Sequence, residues 1–445
     1  MKKVITYGTY DLFHQGHYNL LKRAKELGDY LIVGVTSDYF DRSRGKFNVH
    51  DDLVTRIENV KKSGFADKVV VEEYFGQKID DIKKYGVDIF TVGSDWKGHF
   101  DYLNKYCKVV YLERTKGISS TELRNLNSVR LGIVGNESIL DRFLNELKFV
   151  SGIEVIGVWS QKDDVSAEYK SKEFSSLPQY ASYKELLDNV DAVYINAPLA
   201  QRKKLIKLAA LEHKHILSEF PFCSDLKEAI SLVKLARKQK VVLMEGLKTA
   251  YCPAFGKMIA LVKSGQIGNV LSVQANFTQI LGEDFDNQVR IAGGSLVSLG
   301  AYPILAMMKL LGKHYKKITF ETHVENDVDV MTKINFLHKH SIGTALVATN
   351  AKSEGDLVIS GTRGYVYVPA PWWKTELFEV RFEDTNLNQK YFYKFDGEGL
   401  RYEVVDFVHN IRDNKRESFY FNTAEMLFES KVLNSYLKGE KNSYF

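Results

Sequence analysis

Cysteine is scarce in this chain of 445 residues: there are three, Cys107, Cys223 and Cys252, odd in number and far apart. They exclude a disulfide framework and offer no zinc-ligand spacing, which favours a reduced, cytoplasmic protein. Long apolar runs are missing as well. No stretch approaches the ~18 apolar residues of a membrane span. The start, MKKVITYG, enters a strand-like run with no apolar signal segment. Excess charge of one sign is also lacking. A formal net charge of +5 over this length argues for neither nucleic acid nor a membrane surface as partner. No internal repeat and no low-complexity tract occurs. What remains is ordinary globular composition, 44% hydrophobic and 26% charged, long enough for two or three domains.

The early part of the chain alternates strand and helix. Val4–Tyr7, Tyr30–Thr36, Val69–Val71, Asp88–Gly93 and Val109–Leu112 read as apolar strands, and Tyr18–Leu27 has helical spacing. Continuous apolar strands separated by helices imply a parallel sheet covered on both faces, with ligands beyond the strands' carboxyl ends. The polar stretch NLNS at 125–128 breaks the pattern. A second α/β series follows, with strands at Val155–Val158, Ala192–Ile195, His215–Leu217 and Val241–Met244. Past Gly268 strands dominate: Val270–Thr278, Ile318–Val324, Val328–Phe336, Gly343–Thr349, Asp356–Ser360 and Leu377–Phe382. Helical patterns at Arg401–Asn410 and Ala424–Leu437 come last. The expected class is α/β: a Rossmann-like domain, a second Rossmann domain, and an α+β open-sheet domain.

One segment, GTYDLFHQGHYNLL, carries two histidines, His14 and His17, at a helix start directly after the first strand. Residues i and i+3 share a helix face. A helix start offers free N–H groups and a positive dipole end, which favour phosphate. Gly16 lets the backbone come close. Two imidazoles over a phosphate can stabilise the extra charge of a phosphoryl transition state. A structural role and a partial metal site are the competing explanations, but no third ligand is near and the i, i+4 zinc spacing is absent. A second segment, RTKGISSTELR at 114–124, follows the strand VVYL and supplies cations, a glycine, hydroxyls and a helix start. Those are the parts of a triphosphate cradle. Alone it reads as a capped helix with Ser119 or Ser120 as N-cap.

These two segments resemble the signatures of the His-x-Gly-His nucleotidyltransferase superfamily. Within it, residues 1–125 resemble the bacterial glycerol-3-phosphate cytidylyltransferases, with a domain expected over 1–126 and with VGSDWKGHFDYL and CKVVYLERTKGISST also matching. The resemblance implies a cytidylyltransferase domain that joins CTP to a polyol phosphate, best glycerol 3-phosphate, with Mg²⁺ on the triphosphate. It implies His14, His17, Lys46 and Arg114 as catalytic. Thr9, Tyr10, Gln15, Gly16, Thr115, Lys116, Gly117, Ile118, Ser119, Ser120 and Thr121 would bind the nucleotide, and Asp11, Arg44 and Lys78 the acceptor. The family carries an arginine before the third strand; here Gly64 stands near that position, with Lys61 and Lys62 beside it.

Residues 129–445 resemble the glucose–fructose oxidoreductase/inositol dehydrogenase (Gfo/Idh/MocA) family, in its dihydrodiol dehydrogenase-like branch. VRLGIVG, DAVYINAP, HKHILSEFPF, SGQIGNVLSVQANF and GGSLVSLGAYPI carry the likeness. It implies a Rossmann domain over 129–250, an α+β sheet domain over 251–445, and a homodimer or higher oligomer built on the sheet. The chemistry departs from that family. Its dinucleotide fingerprint reads G-N-E-S-I-L from Gly135, which places Glu137 where a glycine would admit a pyrophosphate. Its catalytic lysine is replaced by Phe220, which cannot donate a proton. Ser298 stands at a usual aspartate, with Tyr302 at the final position, and no acid for a ribose hydroxyl follows Trp159. The expectation is a retired oxidoreductase that does not use NAD(P). The alternatives are an active reductase supplying the polyol phosphate, and a dimerisation or ligand-binding module.

Overall fold

The computed structural model describes residues 1–43, 49, 51–74, 76–113, 128–135, 139–161, 176–280, 293–393, 395, 397–439 and 441–445. They fall into two compact units, Met1–Ser128 with Phe149–Gly152, and Val129–Lys148 with Ile153–Phe445.

The first unit holds strands β1 (Lys3–Gly8), β2 (Tyr30–Thr36), β3 (Lys68–Glu72), β4 (Ile89–Gly93) and β5 (Lys108–Leu112). Its helices are α1 (Gln15–Glu26), α2 (Asp38–Ser43), α3 (Leu53–Lys62) and α4 (Gln77–Tyr85). The strands form one all-parallel sheet in the order β3-β2-β1-β4-β5. Successive strand residues face opposite ways, so Val4, Leu31 and Val33 join one apolar cluster and Ile5, Ile32 and Phe90 the other. That double burial explains why these strands read as continuous apolar runs. Strand order reverses between β1 and β4, so their carboxyl ends mark the crevice where such sheets bind ligands. Helix α1 begins at Gln15 rather than Tyr18, because His14 caps it: the Gly16 N–H donates to the His14 side chain.

The second unit begins with β6 (Val129–Gly135), α5 (Ile139–Leu147), β7 (Ile153–Trp159), α6 (Tyr183–Asn189), β8 (Ala192–Asn196), α7 (Leu199–Leu211), β9 (His215–Glu219), α8 (Leu226–Lys238) and β10 (Leu243–Gly246). These strands form a parallel sheet in the order β10-β9-β8-β6-β7. Helix α9 (Pro253–Lys263) leads into β11 (Val270–Thr278), followed by α10 (Ser295–Leu299) and α11 (Ala301–Leu311). Strands β12 (Lys317–Glu325), β13 (Val328–Leu337), β14 (Ile342–Ala348), β15 (Leu357–Gly361), β16 (Tyr365–Val368), β17 (Leu377–Arg381), β18 (Gln389–Phe392) and β19 (Asn442–Tyr444) complete the sheet. Its order is β18-β17-β16-β15-β11-β14-β13-β12-β19, mixed in direction.

Helices α12 (Leu400–Arg412) and α13 (Thr423–Leu437) pack inside this unit. A buried pair, Glu146 with Arg401 at 2.8 and 2.9 Å, fastens α12 to α5. Strand β10 starts at Leu243, two residues later than its apolar run. Strands β16, β18 and β19 were not anticipated, since runs of three or four residues are too short to register a period. No described helix is long and apolar enough to cross a membrane.

Candidate active site

Between β1 and α1 the chain makes a strained turn. Tyr10 and Leu12 take φ of 54° and 47°, a left-handed conformation that bulky side chains rarely adopt. The turn delivers His14 as N-cap and His17 into the first turn of α1. Their rings stack with centroids 3.9 Å apart and planes 19° from parallel. His14 Nδ1 accepts the Gly16 N–H at 3.0 Å, so a proton on the neutral ring sits on Nε2. The buried Tyr10 ring meets His17 edge-on at 5.5 Å and forms its floor. Gln15 is exposed and donates to Asn19 Oδ1 at 2.9 Å.

Beneath the turn lies a network that the sequence did not announce. Arg56 of α3 is fully buried. Its guanidinium donates to Thr9 O and Thr36 O, both at 2.8 Å, and to Asp51 O at 3.0 Å. It also pairs with Asp38, and lies 3.6 Å from Asp41 Oδ2. Thr9 Oγ1 donates to Asp41 Oδ1 at 2.9 Å. Asp11 and Asp51 brace each other: the Asp51 N–H donates to Asp11 Oδ1 at 2.9 Å, and the Leu12 N–H to Asp51 Oδ2 at 3.1 Å. One signal could have flagged Arg56. It falls on the stripe of α3 that buries Val60 and partly buries Leu53 and Ile57.

Lys78 sits at the same edge of the sheet, but inside it. It is buried, pairs with Glu72, and lies over the rings of Tyr7 at 4.6 Å and Phe100 at 5.6 Å. The other Glu72 oxygen accepts from Thr36 Oγ1 at 3.1 Å. Lys78 therefore reaches the crevice with its charge already matched. Arg44, Lys46, and the stretch Arg114, Thr115, Lys116, Gly117, Ile118, Ser119, Ser120 and Thr121 lie outside the described residues. Among the described residues no group of three or more His, Cys, Asp or Glu side chains is arranged to hold a metal.

In the second unit the strand order reverses between β6 and β8. Gly135 there has φ of 115°, and a Cβ on it would fall 1.9 Å from Asn196 O, so only glycine fits. Asn196 is 1% exposed, and neither side-chain amide atom has a hydrogen-bond partner among the described residues. Glu219 is buried, accepts from the Tyr194 hydroxyl, and is pushed up in pKa by that burial. Phe220 meets Tyr302 edge-on at 5.2 Å, Tyr302 meets Phe277 at 5.0 Å, and Phe277 stacks on Trp373 at 3.7 Å. Ser298 Oγ donates back to Gly294 O at 2.7 Å. Glu137 lies outside the described residues.

Two charged groups near these aromatics also escaped the sequence analysis. Lys248 follows β10, with a side chain 12% exposed, 3.8 Å from Glu398. Burial, then the neighbouring Lys374, holds its ammonium below the usual lysine range. Glu403 of α12 is fully buried, and neither carboxylate oxygen has a hydrogen-bond partner among the described residues. Burial, then Glu219, pushes its carboxyl well up. A Cβ on Gly246 would lie 3.3 Å from Glu403 Oε1, which places that carboxyl at the end of β10.

Comparison with known proteins divides the chain in the same way. Residues 5–126 match the family model described as cytidylyltransferase-like. Residues 129–247 match the oxidoreductase family, NAD-binding Rossmann fold, and residues 255–367 the GFO/IDH/MocA C-terminal domain. Over 124 residues the chain is 50% identical to the glycerol-3-phosphate cytidylyltransferase of Bacillus spizizenii, covering 28% of this chain and 95% of that protein. Over 323 residues it is 26% identical to the scyllo-inositol 2-dehydrogenase (NADP(+)) of Bacillus subtilis, covering 68% of this chain and 95% of that protein. Among solved structures, KijD10, a 3-ketoreductase from Actinomadura kijaniata, superposes with a TM-score of 0.62 at 21% identity, covering 72% of this chain and 100% of that one. That last likeness is one of fold.

Proposed function

The chain belongs to the cytidylyltransferase-like family through its first unit, and on that premise we propose that it makes CDP-glycerol from CTP and glycerol 3-phosphate, releasing pyrophosphate. Nucleotidyltransferase activity joined to an oxidoreductase-like half is the broader statement that the relatives support. The observation that carries the chemistry is the stacked His14–His17 pair at the start of α1, and the choice of acceptor rests on the likeness to glycerol-3-phosphate cytidylyltransferases. An oxygen of the acceptor phosphate attacks the α-phosphorus of CTP. The bond from that phosphorus to the bridging oxygen breaks, and pyrophosphate leaves with the electron pair.

No protein nucleophile is required; the residues orient and neutralise. His14 would present its Nε2–H to phosphate, with His17 beside it. Lys46 and Arg114 would bind the triphosphate, and Thr9 and Tyr10 would floor the nucleotide. Asp11 and Lys78 would shape the acceptor side through Asp51 and Glu72, while Arg44 would meet the acceptor phosphate. Mg²⁺ would arrive on the triphosphate oxygens, its preferred hard ligands. The test is incubation with CTP, Mg²⁺ and a panel of polyol phosphates while pyrophosphate is followed. Fastest release with glycerol 3-phosphate is expected. Release with a pentitol phosphate alone would move the acceptor, and none with any polyol would sink the reading.

For the second half the reading is a retired oxidoreductase that serves as a homodimer platform in the cytoplasm. Phe220 supports it, since an apolar ring that cannot donate a proton stands where the family has its lysine, edge-on to Tyr302 at 5.2 Å. A bifunctional reading has one observation in its favour: Lys248, a buried cation one strand away. NADH and NADPH should stay unoxidised with dihydroxyacetone phosphate, glyceraldehyde 3-phosphate or ketopentose phosphates. Phe220→Lys alone should create no activity. Turnover that Lys248→Met abolishes would establish the bifunctional reading.

A further inference from the structure

The small net charge of +5 conceals an uneven distribution. Residues 199–240 contain ten lysines and arginines against four acids, an excess larger than that of the whole chain. Most of those cations lie on α7 and α8. The two helices pack side by side, as expected for successive right-handed crossovers between β8, β9 and β10. Their outward faces therefore form one surface.

On α7 that surface shows Lys203, Lys204, Lys207, Leu208 and Leu211, all exposed and within one stripe of the helix. On α8 it shows Lys227, Lys234 and Lys238, spaced i, i+7 and i+11, with Arg237 alongside and Lys240 just beyond. Lys203 is matched by Glu228, and Arg237 by Glu417 at 3.5 Å. Lys204, Lys207, Lys227, Lys234, Lys238 and Lys240 have no ion-pair partner among the described residues.

We propose that this face docks the protein on an anionic lipid surface. Charge complementarity is the first argument. Six unmatched lysines on one face are each attracted to an anionic leaflet, and together they outweigh the near-neutral remainder of the chain. The second argument is the pair of leucines. Leu208 and Leu211 are 39% and 44% exposed, and they stand beside Lys204 and Lys207. Leucine can sink to the headgroup boundary while lysine stems lie along it and lift their ammonium groups to the phosphates. The third argument separates lipid from nucleic acid. Neither helix contains an aromatic residue on which a base could stack, and the one exposed arginine, Arg237, is already paired.

The experiment is co-sedimentation of the full-length protein with phosphatidylcholine vesicles, with and without phosphatidylglycerol. Binding should need the anionic lipid and be released by raised salt. Lys204→Glu/Lys207→Glu/Lys234→Glu should weaken it at least about tenfold. Leu208→Gln/Leu211→Gln should weaken it several-fold, an effect a bare polyanion would not show. Both variants should keep wild-type melting and wild-type pyrophosphate release in solution. Four results would overturn the proposal: no sedimentation, equal sedimentation with neutral vesicles, affinity indifferent to the leucines, or single-stranded RNA displacing the vesicles.

Discussion

Arg56→Met keeps the length and apolar bulk of the side chain but removes its guanidinium. Asp41, fully buried, then loses the cation 3.6 Å from its Oδ2. The carbonyls of Thr9 and Thr36 lose donors at 2.8 Å. Breaking a buried ion pair from one side costs about 3–5 kcal/mol, because a charge stays buried without its partner. The loss should concentrate in the turn that the guanidinium braces. Tyr10 and Leu12 hold left-handed φ values there, each costing roughly 1–3 kcal/mol to maintain. Hydrogen exchange should therefore lose protection over residues 8–14 first. Pyrophosphate release should fall ~100-fold in kcat/KM, as expected when reactive groups shift by about 1 Å. Adding Asp41→Asn should recover part of the stability, since the carboxylate that faced the guanidinium is then replaced by a neutral amide. Unchanged protection of the turn together with kcat/KM within a few-fold of wild type would refute the bracing argument.

His17→Ala should cost ~10²–10³ in turnover, the usual price of one transition-state donor, while the melting temperature holds; near-normal turnover would return His17 to a structural role. Lys46→Ala and Arg114→Ala should each raise the KM for CTP strongly, and unchanged kinetics in either would make that residue solvated surface charge. The second unit should weaken with rising pH. Burial pushes the Glu245 carboxyl up to about 8 in the folded state, above its unfolded value of ~4.3. A raised folded pKa gives stability that is full below the unfolded value and lost as pH climbs through about 8, by roughly a few kcal/mol. Three of the four tryptophans, Trp159, Trp372 and Trp373, lie in this unit, so tryptophan emission reports mainly on it. Melts should fall as pH rises from ~4.3 to about 8 and level off beyond it, and Glu245→Gln should flatten the slope; melts that rise over that range would refute the assignment.

The parts of the molecule legible in the sequence are those written in adjacent residues. A continuous apolar strand followed by His14, Gly16 and His17 states its own geometry, and the sheets of both α/β series follow from their strands. Arg56 was hidden for the opposite reason. Its partners Thr9, Thr36, Asp38, Asp41 and Asp51 converge only because the carboxyl ends of β1 and β2 lie side by side. Periodicity marks such an arginine as an exception without naming its partners. Lys248 and Glu403 were hidden by distance along the chain, since α12 returns to the end of β10 only in the folded unit. Strand β19 pairs with the edge of β12, and no local pattern in three residues announces that.

The central claim is attack by a polyol phosphate on the α-phosphorus of CTP at the His14–His17 pair. The direct measurement supplies CTP labelled at that phosphorus, with Mg²⁺ and unlabelled glycerol 3-phosphate, and follows the label. All of it should pass into CDP-glycerol, with unlabelled pyrophosphate appearing in equal amount and His17→Ala nearly silent. Label that stays in CTP, or that is released as CMP without joining glycerol phosphate, would contradict the account.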